Sequence, residues 1–420
     1  MKIMKIEGQN PLSGTIRISG AKNSSVALIP ASILADSDVT ICNVPEITDT
    51  DVLCEILESL NVDARRASES IVISPQTIEN KFIPEIFSKK LRASYYFMGA
   101  LLGKFKHVEI SLPGGCSIGA RPVNLHMKGF EALGATITTE DDKYIIDAKE
   151  LIGTSIYLDI ASVGATINIM LAAVLAKGVT TIDNADKEPE IVNVATFLNN
   201  MGAKITGAGT SEIKIKGVSK LHGCYHEVIP DRIEAGTYTI IGALVGNNLK
   251  ISNIIPEHLE ALTSKLLEMG VDLQIGDDYL IVNSKDKYKC TNIKTLVYPG
   301  FPTDLQQPFS ILLSRCNGKS TVVETIWENR FMHLPELEKM GMKVEKKDTT
   351  AYFYGPNELK AAEVKATDLR AGAALVCAAL AAEGETTITN VEHILRGYEG
   401  IVEKLTDVGA KITIEETIDN

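Results

Sequence analysis

Along this 420-residue chain an amphipathic helix that runs into a tight cap and then a strand recurs at near-constant intervals. The pattern reads EALGATI (131–137), NNMGAKI (199–205), LEMGVDL (267–273), EKMGMKV (338–344) and TDVGAKI (406–412), with a degenerate copy, ESLNVDA (58–64), in which Asn61 replaces the glycine. Glycine and asparagine are the residues that suit the left-handed cap of a helix. The caps fall at 61, 134, 202, 270, 341 and 409, so the intervals are 73, 68, 68, 71 and 68 residues. A period of this size marks a repeated supersecondary unit, and six units account for nearly the whole chain.

Each unit holds a second helix, marked by an apolar, small-residue stretch that leads into a strand. The copies are SSVALIPASILADSDVTI (24–41), ASYYFMGALLGKFKHVEI (93–110), GATINIMLAAVLAKGVTTI (164–182), AGTYTIIGALVGNNLKI (235–251), QPFSILLSRCNGKSTVV (307–323) and AGAALVCAALAAEGETTI (371–388). Helices apolar nearly all round must be buried, and alternating runs such as Ile213-Lys214-Ile215-Lys216 read as half-exposed strands. The expectation is an α/β chain whose units each hold two helices and several short strands. Three units around buried helices make a domain of about 200 residues, and six make two.

Apolar content of 45% and charged content of 23% suit such a globular chain. The formal net charge of −12 argues against nucleic-acid or anionic-membrane partners, because the long-range field repels polyanions. A small anionic substrate can still be held by a local arginine cluster. The opening MKIMKIEGQN lacks the apolar core of a signal peptide, and no segment reaches the length of a membrane span, so the expected compartment is the cytoplasm. Seven cysteines (42, 54, 116, 224, 290, 316, 377), never as CxxC, predict reduced thiols with neither a disulfide framework nor a zinc site. No recognised phosphate loop, dinucleotide fingerprint or HExxH motif is present, so no metal or cofactor is implied.

Polar and charged residues precede the buried helix at nearly the same place in every unit: Lys22-Asn23, Arg92, Ser162-Val163, Arg232, Thr303-Asp304, and Asp368 with Arg370. Asn23, Ser162 and Asp304 can serve as caps. Caps do not account for Lys22, Arg92, Arg232 and Arg370, since a cation at the positive end of a helix is unfavourable; an anion held jointly by helix ends and cations resolves the conflict. A second set follows the strand before each amphipathic helix: Asp49 and Asp51, Arg121, Glu188 and Glu190, His258, Glu328 with Arg330, and Arg396. Its carboxylates read as caps or a solvated face, whereas Arg121, Arg330 and Arg396 are candidates for anion binding. Arginine forks fit phosphate and carboxylate alike, so a phosphorylated carboxylate is a ligand these cations could enclose.

Two further stretches carry candidate chemistry. PGGCSIGARPVNLHMKGFEALGA (113–135) opens as a loop, because proline and paired glycines disfavour helix and strand, and turns helical from Val123. Its Cys116 is either a reactive thiol near Arg121 or a small buried apolar residue. Gly300-Phe301-Pro302-Thr303-Asp304 ends in a carboxylate that is either a base for a substrate hydroxyl or the cap of the next helix.

These residues resemble the enolpyruvyl transferases, in the branch whose acceptor is UDP-N-acetylglucosamine. The matching runs are SGAKN (19–23), LRAS (91–94), LPGGCSIGARPVNLHMKGFEALGA (112–135), SVGAT (162–166), PDRIEAGT (230–237), FPTD (301–304), ENRFMH (328–333), ATDLRA (366–371) and RGYEGI (396–401), in order over the whole length. The resemblance implies two inside-out α/β domains of three units each, 22–229 and 1–21 plus 230–420, with the active site in the cleft between them. It implies addition–elimination: the sugar 3-hydroxyl attacks C2 of phosphoenolpyruvate, C3 takes a proton, and phosphate leaves, as the first committed step of peptidoglycan synthesis. By motif position Cys116 is the proton donor, the site of a covalent phosphoenolpyruvate adduct and the target of fosfomycin. Lys22, Arg121 and Arg396 bind phosphoenolpyruvate. Asn23, Arg92, Arg121, Pro122, Val123, Asn124, Leu125, Ser162, Val163, Gly164, Asp304 and Ile326 hold the nucleotide sugar, with Asp304 as the base. Arg232, Arg330 and Arg370 belong to the wider anion site. Asn124 stands where the branch usually has aspartate, and an amide donates as well as accepts, which alters a contact to uracil.

Two alternatives remain in view. The sister enzymes acting on shikimate 3-phosphate have no cysteine in this loop and lack the SVGAT and ENRFMH runs in this form. A non-catalytic nucleotide-sugar binder descended from the enzyme should have lost Cys116, Lys22 or Asp304, and all three are present.

Overall fold

A computed structural model describes residues 2–90, 92–111 and 123–416, without the side chains of 88–90, 92 and 93. All six capping residues lie in the left-handed region, with φ of 62° at Asn61, 104° at Gly134, 101° at Gly202, 87° at Gly270, 94° at Gly341 and 107° at Gly409. Each ends an amphipathic helix: Thr48–Ser59, Asn124–Ala132, Pro189–Asn200, Glu260–Met269, Leu334–Lys339 and Ile401–Asp407.

The apolar stretches form the helices Lys22–Ala31, Tyr96–Phe105, Val163–Ala173, Arg232–Val245, Thr303–Leu312 and Leu369–Ala381. They are buried almost end to end, as helices without a polar face must be. Among the described residues the strands make six small sheets, five of four strands and one of three. Strands such as Glu212–Lys216 bury alternate residues and expose Lys214 and Lys216. Helices inside and sheets outside give the inside-out α/β fold.

The chain divides into two units, one holding residues 2–19 and 230–416, the other holding the described residues from Gly20 to Ile229. In the first, the helices Arg232–Val245, Thr303–Leu312 and Leu369–Ala381 pack on one another within one apolar core. In the second, Tyr96–Phe105 packs on both Lys22–Ala31 and Val163–Ala173 within another core. The helices there approach closely: a Cβ on Gly99 would lie 2.3 Å from the carbonyl oxygen of Asn168.

The strands before and after a buried helix run parallel, as Ser155–Tyr157 does with Val179–Asp183, Asn292–Lys294 with Gly318–Val323 and Glu363–Lys365 with Glu385–Thr389. Where the chain passes between units the leading strand comes from far away in sequence. Leu12–Arg17 pairs parallel with Gly246–Ser252, and Tyr225–Glu227 pairs parallel with Val39–Cys42. Lys2–Glu7 lies between Glu385–Thr389 and Lys411–Glu416 in the sheet of the sixth unit. Among the described residues no helix is long and apolar enough to cross a membrane.

Candidate active site

In the unit of residues 2–19 and 230–416, Pro302 occupies the cap of the helix Thr303–Leu312, and Asp304 lies inside the first turn. Its Oδ1 accepts from Nη2 of Arg330 at 2.8 Å, and its Oδ2 faces Nη2 of Arg370 at 3.3 Å. Both guanidinium groups are buried, with side-chain exposures of 3% and 6%, while the carboxylate is 26% exposed. Burial opposes the charge of Arg370, but the neighbouring Tyr398 hydroxyl and Asp304 outweigh it and hold its pKa above the ordinary arginine value. Nη1 of Arg370 also donates to the Tyr398 hydroxyl at 3.0 Å, which lies 2.9 Å from Oγ1 of Thr237. Tyr398 belongs to the same turn as Arg396, so that turn is tied to Asp304 through one arginine.

Arg370 follows a side-chain cap. Asp368 accepts from the backbone N–H groups of Arg370 and Ala371 at 2.8 and 3.0 Å. Asp231 caps the helix Arg232–Val245 in the same way, at 2.8 Å to Ile233 and 2.9 Å to Glu234. Arg232 turns elsewhere: its guanidinium carbon lies 5.5 Å from the ring centre of Tyr298, in the wall of a pocket shared with His258 and Leu305.

Two residues that sequence reasoning passed over hold this region. Glu324 is buried, and its Oε1 accepts from Thr295 Oγ1 at 2.8 Å and from the N–H groups of Ile326 and Trp327 at 2.8 and 3.2 Å. Its Oε2 accepts from Thr303 Oγ1 at 3.0 Å, so one carboxylate fixes both Ile326 and the residue before Asp304. His333 lies 3.1 Å from Ser310 Oγ and 3.4 Å from Gln307 Nε2, both on the helix that carries Asp304, and burial pushes its pKa down to about 3. It is therefore neutral beside Arg330. A buried glutamate after an apolar strand and a histidine closing ENRFMH were the available signals.

In the unit from Gly20 to Ile229, Lys22 opens its buried helix and its Nζ lies 2.9 Å from Oδ2 of Asp49. Asp49 has a side-chain exposure of 3%, so the expectation of a cap or solvated face is corrected: it is the buried counter-ion of Lys22. The charge conflict inferred at the helix mouths is thus met in part by the protein's own carboxylates, Asp49 for Lys22 and Asp304 for Arg370. Asn23 is half-buried beside Lys22.

Ser162 is a cap, its Oγ accepting from Ala165 N–H at 3.3 Å, which places Val163 and Gly164 at the start of the helix Val163–Ala173. Val123 is buried, Leu125 half-buried, and Asn124 exposed at the start of the helix Asn124–Ala132. One residue on, His126 joins the two segments. Its Nδ1 lies 2.9 Å from Nδ2 of Asn168, whose amide also donates to Tyr95 C=O at 3.0 Å and accepts from Gly99 N–H at 2.8 Å. That pairing fixes the amide orientation and makes Nδ1 the acceptor. A Cβ on Gly164 would lie 3.1 Å from the His126 ring. Cys116, Arg121 and Pro122 lie outside the described residues, as does the side chain of Arg92.

The model of the EPSP synthase (3-phosphoshikimate 1-carboxyvinyltransferase) family matches residues 6–405. UDP-N-acetylglucosamine 1-carboxyvinyltransferase 2 of Geobacillus kaustophilus is 55% identical over 419 residues, spanning 100% of this chain and 98% of that protein. The protein of that name from Listeria monocytogenes serotype 4b is 54% identical over 97% of this chain and 96% of its own length. Among solved structures, the enolpyruvyl transferase NikO from Streptomyces tendae superposes with a TM-score of 0.89 at 28% identity, covering 98% of each chain. EPSP synthase from Acinetobacter baumannii shares the fold with a TM-score of 0.76 at 17% identity, over 99% of this chain and 100% of that one. With its six units, its two cores and a match over nearly its full length, the chain belongs to the enolpyruvyl transferase family that the EPSP synthase model describes.

Proposed function

We propose that the protein transfers the enolpyruvyl group of phosphoenolpyruvate to the 3-hydroxyl of UDP-N-acetylglucosamine and releases phosphate, the first committed step of peptidoglycan synthesis. The observation that carries this reading is identity of 54–55% over essentially full length to proteins named for that reaction, against 17% to a solved EPSP synthase.

The chemistry assigned to the residues follows. Asp304 takes the proton of the sugar 3-hydroxyl as its oxygen bonds to C2 of phosphoenolpyruvate, and Cys116 delivers a proton to C3. Loss of a proton from C3 and cleavage of the C2–O bond to phosphate then leave the enol ether. No electrons are gained or lost, so proton transfer and charge compensation suffice and no redox cofactor is required. Cys116 also carries the covalent phosphoenolpyruvate adduct and the fosfomycin adduct.

Lys22, Arg121 and Arg396 compensate phosphoenolpyruvate, with Arg232, Arg330 and Arg370 in the wider anion site. Arg330 and Arg370 meanwhile neutralise Asp304 and hold its oxygens in place, and a carboxylate oxygen bonded to one arginine keeps a lone pair for a hydroxyl. Ser162, Val163 and Gly164 offer the N–H groups of a helix start to the nucleotide phosphates. Asn23, Arg92, Pro122, Val123, Asn124, Leu125 and Ile326 hold the rest of the nucleotide sugar. Inorganic phosphate should appear when phosphoenolpyruvate is mixed with UDP-N-acetylglucosamine and not with shikimate 3-phosphate. The reverse result would assign the chain to the sister reaction.

A further inference from the structure

Ser19 is the last residue of its unit before the chain passes to Gly20, and each of its polar groups is engaged. Its N–H donates to Oε2 of Glu234 at 2.8 Å, its C=O accepts from Asp231 N–H at 2.9 Å, and its hydroxyl bonds Glu399 and receives Lys404 Nζ at 2.6 Å. Lys404 Nζ also holds Oε1 of Glu234. The Lys404 and Glu234 side chains are only 19% and 4% exposed, and neither has a part in the reaction described above.

Buried ion pairs of this kind cost desolvation and add little net stability, so the pair's presence is better explained by the arrangement it enforces. Here that arrangement is specific. Glu399 sits in the turn after the helix Glu392–Leu395, three residues beyond Arg396. The adjacent Tyr398 reaches Arg370 and Thr237, and Thr237 lies on the same helix as Glu234. The turn is therefore pinned on both sides: through Tyr398 to the arginine that holds Asp304, and through Glu399 to Ser19 and the Glu234–Lys404 pair.

We propose that Glu234 and Lys404, acting through Ser19 and Glu399, are positioning residues that hold the Arg396 turn in the place phosphoenolpyruvate binding requires. The inference rests on the reaction assigned above. Loss of the pair loosens one of the two pins of the turn while leaving Tyr398, Arg370 and Asp304 in place. The deficit therefore falls on phosphoenolpyruvate and spares the acceptor.

The test uses the full chain with Lys404→Met, Lys404→Arg, Glu234→Gln and the Glu234→Gln/Lys404→Met double variant, with steady-state kinetics for each substrate and thermal unfolding. Lys404→Met should raise the KM for phosphoenolpyruvate by roughly tenfold, with the KM for UDP-N-acetylglucosamine within about twofold of wild type. Lys404→Arg should recover part of that loss. The double variant, with no unpaired buried charge, should regain thermal stability yet keep the raised KM. A double variant that turns over with an unaltered KM for phosphoenolpyruvate, or a rise shared equally by both substrates, would overturn the proposal. Absence of turnover by the wild type would strike the assigned reaction and the clamp together, whereas a functioning wild type with unmoved variants strikes the clamp alone.

Discussion

Asp304 shows how much one residue's neighbours decide. Its motif, FPTD, marked it as either base or cap, and local spacing could not choose, because both roles need a carboxylate just after a proline-fixed turn. In the structure Pro302 takes the cap, and Asp304 in the first turn is held through its two oxygens by Arg330 and Arg370, 26 and 66 residues away. Asp49 was misread for the same reason: nothing near it in sequence shows that Lys22 lies 2.9 Å away. Glu324 escaped notice because its partners are mainly backbone N–H groups and threonines, which carry no charge signal. Asp304→Asn keeps the shape and removes the proposed base, so kcat should fall by about 10²–10⁴-fold, the range of general-base loss. Cys116→Ala should do the same and should also abolish the proposed fosfomycin adduct, with UDP-N-acetylglucosamine binding retained in both when titrated by calorimetry. Turnover within tenfold of wild type in either variant would remove that residue from the proton transfers.

At the scale of elements, helix caps and buried helices were legible because each rests on a local rule. Left-handed residues end the amphipathic helices, and helices without a polar face end up inside. The short leading strands were not legible: Tyr225–Glu227 has three residues, and its partner Val39–Cys42 lies far back in the chain. The buried helix Arg232–Val245 adds a titratable group where a local reading sees only first-turn charge. Burial pushes the Glu234 carboxyl up to about 7, with Lys404 pulling it down and Asp231 reinforcing the rise. The folded chain thus keeps a proton that the unfolded chain loses near an ordinary carboxylate pKa of about 4.3, so stability from this group falls as pH rises from there to about 7 and is level beyond. Glu234→Gln, permanently neutral, removes that slope. In urea unfolding, its stability relative to wild type should improve by about 2 kcal/mol between pH 5 and pH 7. Parallel pH profiles for the two chains would contradict the buried, raised carboxyl.

For the whole molecule, the period of about seventy residues foretold six similar units, since a unit that buries its helix only against its neighbours must recur to make a core. It did not foretell that the strands beside two of those helices are supplied from outside their own stretch, by residues 12–17 and 225–227. Those pairings depend on where the chain passes from one unit to the other, a property of connectivity rather than of any local pattern. The family likeness likewise runs over almost the entire length, which makes the reaction a property of the whole chain and not of one motif. Its most direct test is the product. Proton NMR of a mixture of the full chain, phosphoenolpyruvate and UDP-N-acetylglucosamine should show two new vinyl protons on an ether at C3 of the sugar, growing in step with phosphate. Phosphate release without that vinyl ether, or an unchanged nucleotide sugar at full enzyme loading, would contradict the account.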